Sequence, residues 1–160
     1  MQLQRSLDMA LATFGAGCFW GVELTFSKLP GVTATSVGYM GGHTEDPTYK
    51  AVCTDTTGHA EVVQIEYDPE RLSYKRLLST FFHCHDPTQL NRQGPDFGTQ
   101  YRSVIFYHDA DQEAQAKLAI EQQQAERDVV TQLMPAASYY LAEDYHQKYL
   151  EKRGMNSCGL

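Results

Sequence analysis

From residue 60 to residue 67 the chain alternates. Val63, Ile65 and Tyr67 are apolar, and Gln64 and Glu66 between them are polar. A period of two marks a strand with one face turned to a core. Such a strand needs neighbours for its backbone groups and a layer to cover its apolar face. Residues 11–15, the β-branched stretch 32–37 and residues 101–107 read as partner strands. Helical stretches lie between them. One starts near Cys18 and runs to Lys28, and Pro30-Gly31 stops it. Ser73 reads as the N-cap of a helix reaching about Phe82. Asp109 with Gln112 resembles a capping box opening a helix over 110–127. Residues 129–133 and 138–142 read as extended, and 143–152 as helical. Strands interleaved with helices predict an α+β fold, a two-layer α/β sandwich in which helices pack on a mixed sheet.

The loops are long. Residues 38–49 are rich in Gly, Pro, Asp and Thr, and 54–58 form a second polar loop. Residues 85–99 carry Pro87, Gly94, Pro95 and Gly98, and ordered loops of that length are often functional. No linker divides the 160 residues, so a single domain over 1–160 is expected, with 154–160 as a mobile C-terminal tail.

Charge and composition remove several classes of function. The net charge is −7 and no basic cluster occurs, which argues against nucleic acid and anionic membranes as partners. A chain 42% hydrophobic and 21% charged is not disordered by composition. No apolar run is long enough for a membrane span, and the first seven residues lack the apolar block of a secretory signal. A reducing, cytoplasmic location is expected.

The four cysteines are Cys18, Cys53, Cys84 and Cys158, none in CxxC spacing. Cys18 follows Gly15-Ala16-Gly17, where a strand turns into a helix. There a sulfur meets unpaired N–H groups, and the helix dipole favours the thiolate. The alternative is a small buried hydrophobe. Phe19 and Trp20 follow directly; an indole face beside a reactive sulfur can hold a methyl group, and core packing is the other reading. Glu61 continues the alternation onto the face of Val63 and Ile65. A carboxyl there is desolvated, stays protonated at higher pH and can act as a general acid. At a frayed strand end it would merely be solvated. Tyr49 and Tyr101 each follow a Gly/Pro-rich loop, as phenols able to donate to a substrate oxygen or as structural tyrosines. Asp96 either orients a neighbour or caps a turn. Cys158 is the third residue from the end, where a thiol can swing onto another sulfur. His83-Cys84-His85, with His59 and Cys53 elsewhere, invites a zinc reading, but His83 and His85 are too close together to be good co-ligands on a helix.

Five ordered segments resemble the peptide methionine sulfoxide reductase A family. They are Gly17-Cys18-Phe19-Trp20-Gly21, Gly38-Tyr39-Met40-Gly41-Gly42, Thr57-Gly58-His59-Ala60-Glu61, Gly98-Thr99-Gln100-Tyr101-Arg102 and Tyr140-Leu141-Ala142-Glu143-Asp144-Tyr145-His146. The resemblance runs from about Ala12 to Cys158. It implies a ferredoxin-like variant of the α+β fold and a single catalytic domain. It implies Cys18 as nucleophile, Phe19 and Trp20 as the wall for the substrate's methyl group, and Glu61 as the acid on the sulfoxide oxygen. Tyr49 and Tyr101 would be that oxygen's hydrogen-bonding partners, and Asp96 a substrate-binding residue. Cys158 would be the recycling cysteine, forming a disulfide with Cys18. Thioredoxin is the implied reductant, and the S epimer of methionine sulfoxide, free or in oxidised proteins, the implied substrate. The implied role is protein repair under oxidative stress. No cofactor and no metal are implied, and a monomer is expected. Some relatives carry a second recycling cysteine in a longer tail; this sequence stops at Leu160, so that two-step relay is not expected. Cys53 and Cys84 match no recycling position and read as structural. Two rivals are a cysteine peroxidase, and a zinc-binding or redox-sensing module built on the His/Cys cluster.

Overall fold

The structure, a computed structural model, describes residues 9–154. Cys158 and nearly all of the expected tail lie outside them. Among the described residues the strands are β1 (Ala10–Ala16), β2 (Val32–Met40), β3 (Ala60–Tyr67), β4 (Arg92–Gln93), β5 (Asp96–Phe97), β6 (Ser103–Tyr107), β7 (Gln132–Pro135) and β8 (Tyr140–Leu141). The helices are α1 (Phe19–Ser27), α2 (Tyr49–Val52), α3 (Tyr74–His83), α4 (Ala110–Gln124) and α5 (Tyr149–Lys152).

Six strands form one sheet in the order β7-β6-β1-β3-β2-β8, and β4 pairs with β5 in a separate small hairpin. β6 and β7 run parallel, and the other pairs are antiparallel, so the sheet is mixed as expected. Register decides which residues share a face. Ala12 lies opposite Ile65, and Phe14 opposite both Val63 and Ile105. These side chains form one buried cluster with Val22 and Phe26 of α1, Leu77, Leu78 and Phe81 of α3, and Ala116 and Ile120 of α4. The helices therefore cover one face. Phe14 is its hub, stacking on Phe26 at 5.4 Å and on Phe81 at 5.1 Å. The opposite face buries Met40, Ala60, Val62, Val104 and Phe106, with Ala136 and Tyr139 of the β7–β8 connection packed against them.

The caps read from sequence form: Ser73 accepts from the Arg76 N–H and Asp109 from the Gln112 N–H. Several boundaries differ. β2 continues through Gly38 to Met40, where loop was expected, because β3 pairs with it to Ala60. Tyr49 opens α2, with Thr48 as its N-cap, rather than closing a loop. Tyr101 ends a 3-10 turn, Thr99–Tyr101, one residue short of β6. The expected helix over 143–152 is broken. A 3-10 turn, Asp144–His146, is followed by Gln147, whose side-chain amide bonds both Val37 N and Val37 O, as a strand would. Lys148 then turns left-handed at φ 52° before α5 begins.

Antiparallel pairing gathers the chain's reactive segments at one sheet end. β1 finishes beside the start of β3, β2 finishes opposite Ala60, and β6 starts opposite Ala16. Cys18, Glu61 and Tyr101 hang from those ends.

Candidate active site

Gly17 makes the turn from β1 into α1 at φ 100°, a region L side chains rarely adopt. A Cβ there would also lie 2.8 Å from Cγ of Gln93, whose side chain is tied to Asp86 N and O. The turn delivers Cys18 to the N-cap position of α1, half-buried, with its carbonyl accepting from Val22 N at 3.5 Å. At that position a side chain faces the first unpaired N–H groups of the helix.

Glu61 is 1% exposed, on the helix-covered face, opposite Tyr39 of β2. Its Oε1 accepts the Phe19 N–H at 3.3 Å. Its Oε2 is buried and has no hydrogen-bond partner among the described residues. Burial pushes the carboxyl up to about 8; the Phe19 N–H works against this, and the nearby charge of Asp96 adds to it. At neutral pH the group holds its proton, and a buried O–H on Oε2 is a donor waiting for an oxygen.

Tyr49 and Tyr101 meet beside it. Their hydroxyls lie close enough to act on one another. The Tyr49 hydroxyl also lies within hydrogen-bonding reach of the Cys53 sulfur. Burial raises both phenols, Tyr101 to about 12, and the charge of Glu61 raises them further. Both stay protonated donors. Asp96, half-buried in β5, is near enough for its charge to act on Glu61 and Tyr101 alike.

Phe19 is buried with Val37, Tyr39, Val52 and Ala142, and Trp20 and Tyr49 pack against that cluster. Trp20 is half-buried. Its Nε1 donates to Nδ1 of His146 at 3.0 Å, and its ring stacks on Tyr149 at 3.9 Å. The result is an aromatic wall one residue from Cys18.

A buried carboxyl that keeps its proton, two phenols and an aromatic wall thus surround the cysteine at the N-cap position of α1. A family model for peptide methionine sulfoxide reductase matches residues 10–160. The chain belongs to the peptide methionine sulfoxide reductase family. It is an oxidoreductase. It is 58% identical to the peptide methionine sulfoxide reductase of Acidobacterium capsulatum over 154 residues, 94% of this chain and 99% of that protein. Its fold matches the crystal structure of reduced Mxr1 from Saccharomyces cerevisiae with a TM-score of 0.87 at 36% identity, over 93% of this chain and 88% of that one. Mxr1 crystallised in complex with Trx2 matches with a TM-score of 0.64 at 26% identity, over 89% and 86% of the two chains.

Cys18, Phe19, Trp20, Tyr49, Glu61, Asp96 and Tyr101 thus converge at one end of the sheet, while Cys158 falls outside the described residues. Cys53, read as structural, is exposed beside Tyr49. The His/Cys cluster is spread out. His83 Nδ1 bonds Ser79 O, and His85 lies between Phe81 O and Ser103 Oγ. No group of three or more His, Cys, Asp or Glu among the described residues is arranged to hold a metal. Among those residues no helix is long and apolar enough to cross a membrane.

Two residues, His146 and Glu143, escaped individual notice, and His59 was considered only as a metal ligand. His146, 1% exposed, packs on Phe19 and Tyr49 as well as bonding Trp20. Burial lowers its imidazole, outweighing the raising effect of Glu143. Glu143 accepts from the Tyr39 hydroxyl and from Tyr49 N at the start of α2. Burial pushes that carboxyl up, but these bonds and nearby His146 outweigh it and hold it below the usual carboxylate range. His59, 2% exposed, accepts from Gly42 N on Nδ1 and bonds Thr44 O through Nε2. Glu143 and His146 lie within a family-like segment, the only signal that pointed to them.

Proposed function

We propose that this chain reduces methionine S-sulfoxide, free or within oxidised proteins, to methionine, with Cys18 as nucleophile, Cys158 as recycling cysteine and thioredoxin as reductant. The observation that carries the reading is Glu61: a buried carboxyl that keeps its proton, with Oε2 open, bonded to the residue after Cys18.

The positive end of α1 favours charge on the Cys18 sulfur. The thiolate attacks the sulfoxide sulfur and forms an S–S bond. The oxygen takes the proton of Glu61 as the sulfoxide S–O bond weakens, while Tyr49 and Tyr101 donate to it as charge builds. Transfer of that OH to the cysteine sulfur releases methionine and leaves Cys18 as a sulfenic acid. Phe19 and Trp20 hold the methyl group, and Asp96 helps bind the rest of the substrate. The Cys158 thiol then attacks the sulfenic sulfur, expels water and gives a Cys18–Cys158 disulfide. A dithiol of thioredoxin reduces it by exchange. The Mxr1–Trx2 complex supports the choice of reductant. The S epimer rests on the family resemblance. A cytoplasmic, monomeric single domain that carries its recycling cysteine near the C-terminal end of this sequence, using no metal or cofactor, completes the reading.

The test is reduction of separated S and R epimers of a methionine sulfoxide substrate, with thioredoxin and its reductase, by wild type and Cys18→Ser. Loss of the S epimer alone, abolished in the variant, is expected. Loss of both epimers, or turnover by Cys18→Ser, overturns the assignment.

A further inference from the structure

Glu23 is a buried acid, 2% exposed, that the proposed chemistry does not use. It lies one turn along α1 from Trp20, on the same side of the helix. Both of its oxygens are engaged. Oε2 accepts from the Thr35 hydroxyl of β2 at 3.0 Å, and Oε1 accepts the backbone N–H of Lys148 at 2.7 Å. Lys148 is the residue that turns left-handed, at φ 52° and ψ 39°. A residue with a Cβ occupies that region at a cost, and stays there only where its surroundings over-determine it. The residue after it, Tyr149, stacks on Trp20 at 3.9 Å with the rings 14° from parallel, and the Arg153 guanidinium covers the outer face of Tyr149 at 5.3 Å. The residue two before it, His146, accepts from the Trp20 indole.

We propose that Glu23 is a positioning residue for the aromatic wall: its bond to Lys148 N holds the left-handed turn that seats Tyr149 against Trp20. The inference rests on the reading of Trp20 as the methyl-holding wall. The geometry explains why a carboxyl group is buried at this point of α1. Packing alone would be served by an apolar side chain. Only an acceptor at this point reaches the Lys148 N–H while Thr35 anchors its other oxygen. With the latch gone, Lys148 relaxes to negative φ, Tyr149 leaves the indole, and Trp20 keeps only His146 and its contact with the Phe19 cluster.

The experiment follows two readouts in the full chain: the KM and kcat for methionine sulfoxide, and the emission of Trp20, the only tryptophan. Glu23→Ala is expected to raise KM about tenfold, as loss of a buried hydrogen bond predicts, with a much smaller fall in kcat and a shifted emission. Adding Lys148→Gly is expected to recover both, because glycine holds a positive φ without the latch. Glu23→Gln keeps an acceptor and should stay close to wild type. Lys148→Val, at an exposed position with Glu23 intact, penalises the left-handed turn and should reproduce the Glu23→Ala result, which covers the case in which Glu23→Ala fails to fold. Wild-type KM and emission in Lys148→Val and Glu23→Ala overturn the proposal. So does a KM defect without an emission change that Lys148→Gly leaves unrepaired. Trp20→Ala is the control for the underlying reading. If it leaves KM unchanged, the wall reading fails, and the emission of Glu23→Ala and Lys148→Val still judges the latch.

Discussion

The Phe19 N–H donates to Glu61 Oε1 across 3.3 Å, tying the acid on β3 to the residue that follows Cys18. One bond thus ties Glu61 to the chain next to Cys18. It also leaves Oε2 as the oxygen able to carry the proton. The bond itself favours the ionised carboxylate, yet burial outweighs it.

That balance makes Glu61 a measurable liability. Its folded value, about 8, lies above its usual 4.5. The folded chain therefore keeps a proton that the unfolded chain has released over this interval. The sign follows: the contribution to stability is fully present below about pH 4.5 and is lost as pH rises through about 8. Glu61→Gln removes this slope. Urea unfolding of both proteins at pH 5 and pH 9 should show the variant gaining on wild type, by on the order of a few kcal/mol. A constant difference between the two pH values would contradict the burial argument.

Tyr49 and Tyr101 lie side by side and are proposed to share one substrate oxygen. Tyr49→Phe and Tyr101→Phe are each expected to slow the chemical step roughly tenfold, with the double variant slower than either. The two effects should not simply multiply, because the two phenols are close enough to act on one another and on the same oxygen. Strict multiplicativity in single-turnover rates would mean the two hydroxyls act separately.

Cys158→Ser is expected to complete one turnover and then stop with thioredoxin, while dithiothreitol restores cycling. The check is methionine formed per enzyme, about one equivalent with thioredoxin, as the resolving role requires. Normal steady-state turnover with thioredoxin would remove Cys158 from the scheme.

His59 accepts from Gly42 N on Nδ1, so its other nitrogen carries the hydrogen and donates to Thr44 O at 2.8 Å. Gly42 packs so closely that a Cβ there would sit 2.5 Å from the ring. His59→Ala leaves both backbone groups without their partner and should cost about 2–4 kcal/mol, read as a lower urea midpoint. A shift below about 0.5 kcal/mol would show that the loop does not lean on His59.

Much of the site was legible because it hangs on local rules. Two-residue alternation put Glu61 on the buried face, and a glycine before a helix start marked Cys18 as its cap. Ser73 and Asp109 were readable for the same reason. The break at Lys148 was not, because its cause is Glu23, 125 residues earlier in the chain. Periodicity over 143–152 favours one helix, and no local signal reports the Val37 groups that draw Gln147 out of it. The role of His146 depends on an indole 126 residues away. α2 is four residues long, too short for a period to show, so Tyr49 looked like loop. The cluster joining Phe19, Tyr39 and Ala142 exists only once β2 and β8 pair.

The central claim is that Glu61 delivers a proton as the Cys18 sulfur attacks. The most direct measurement is the single-turnover rate of methionine formation against pH, for wild type and Glu61→Gln. Wild type should hold its rate up to about pH 8 and lose it above, as the Glu61 carboxyl ionises. Glu61→Gln should be slower by roughly 10²–10⁴-fold, with substrate binding nearly intact and no fall near pH 8. A variant as fast as wild type, or one that keeps the same fall near pH 8, would contradict the account and assign the proton to another group.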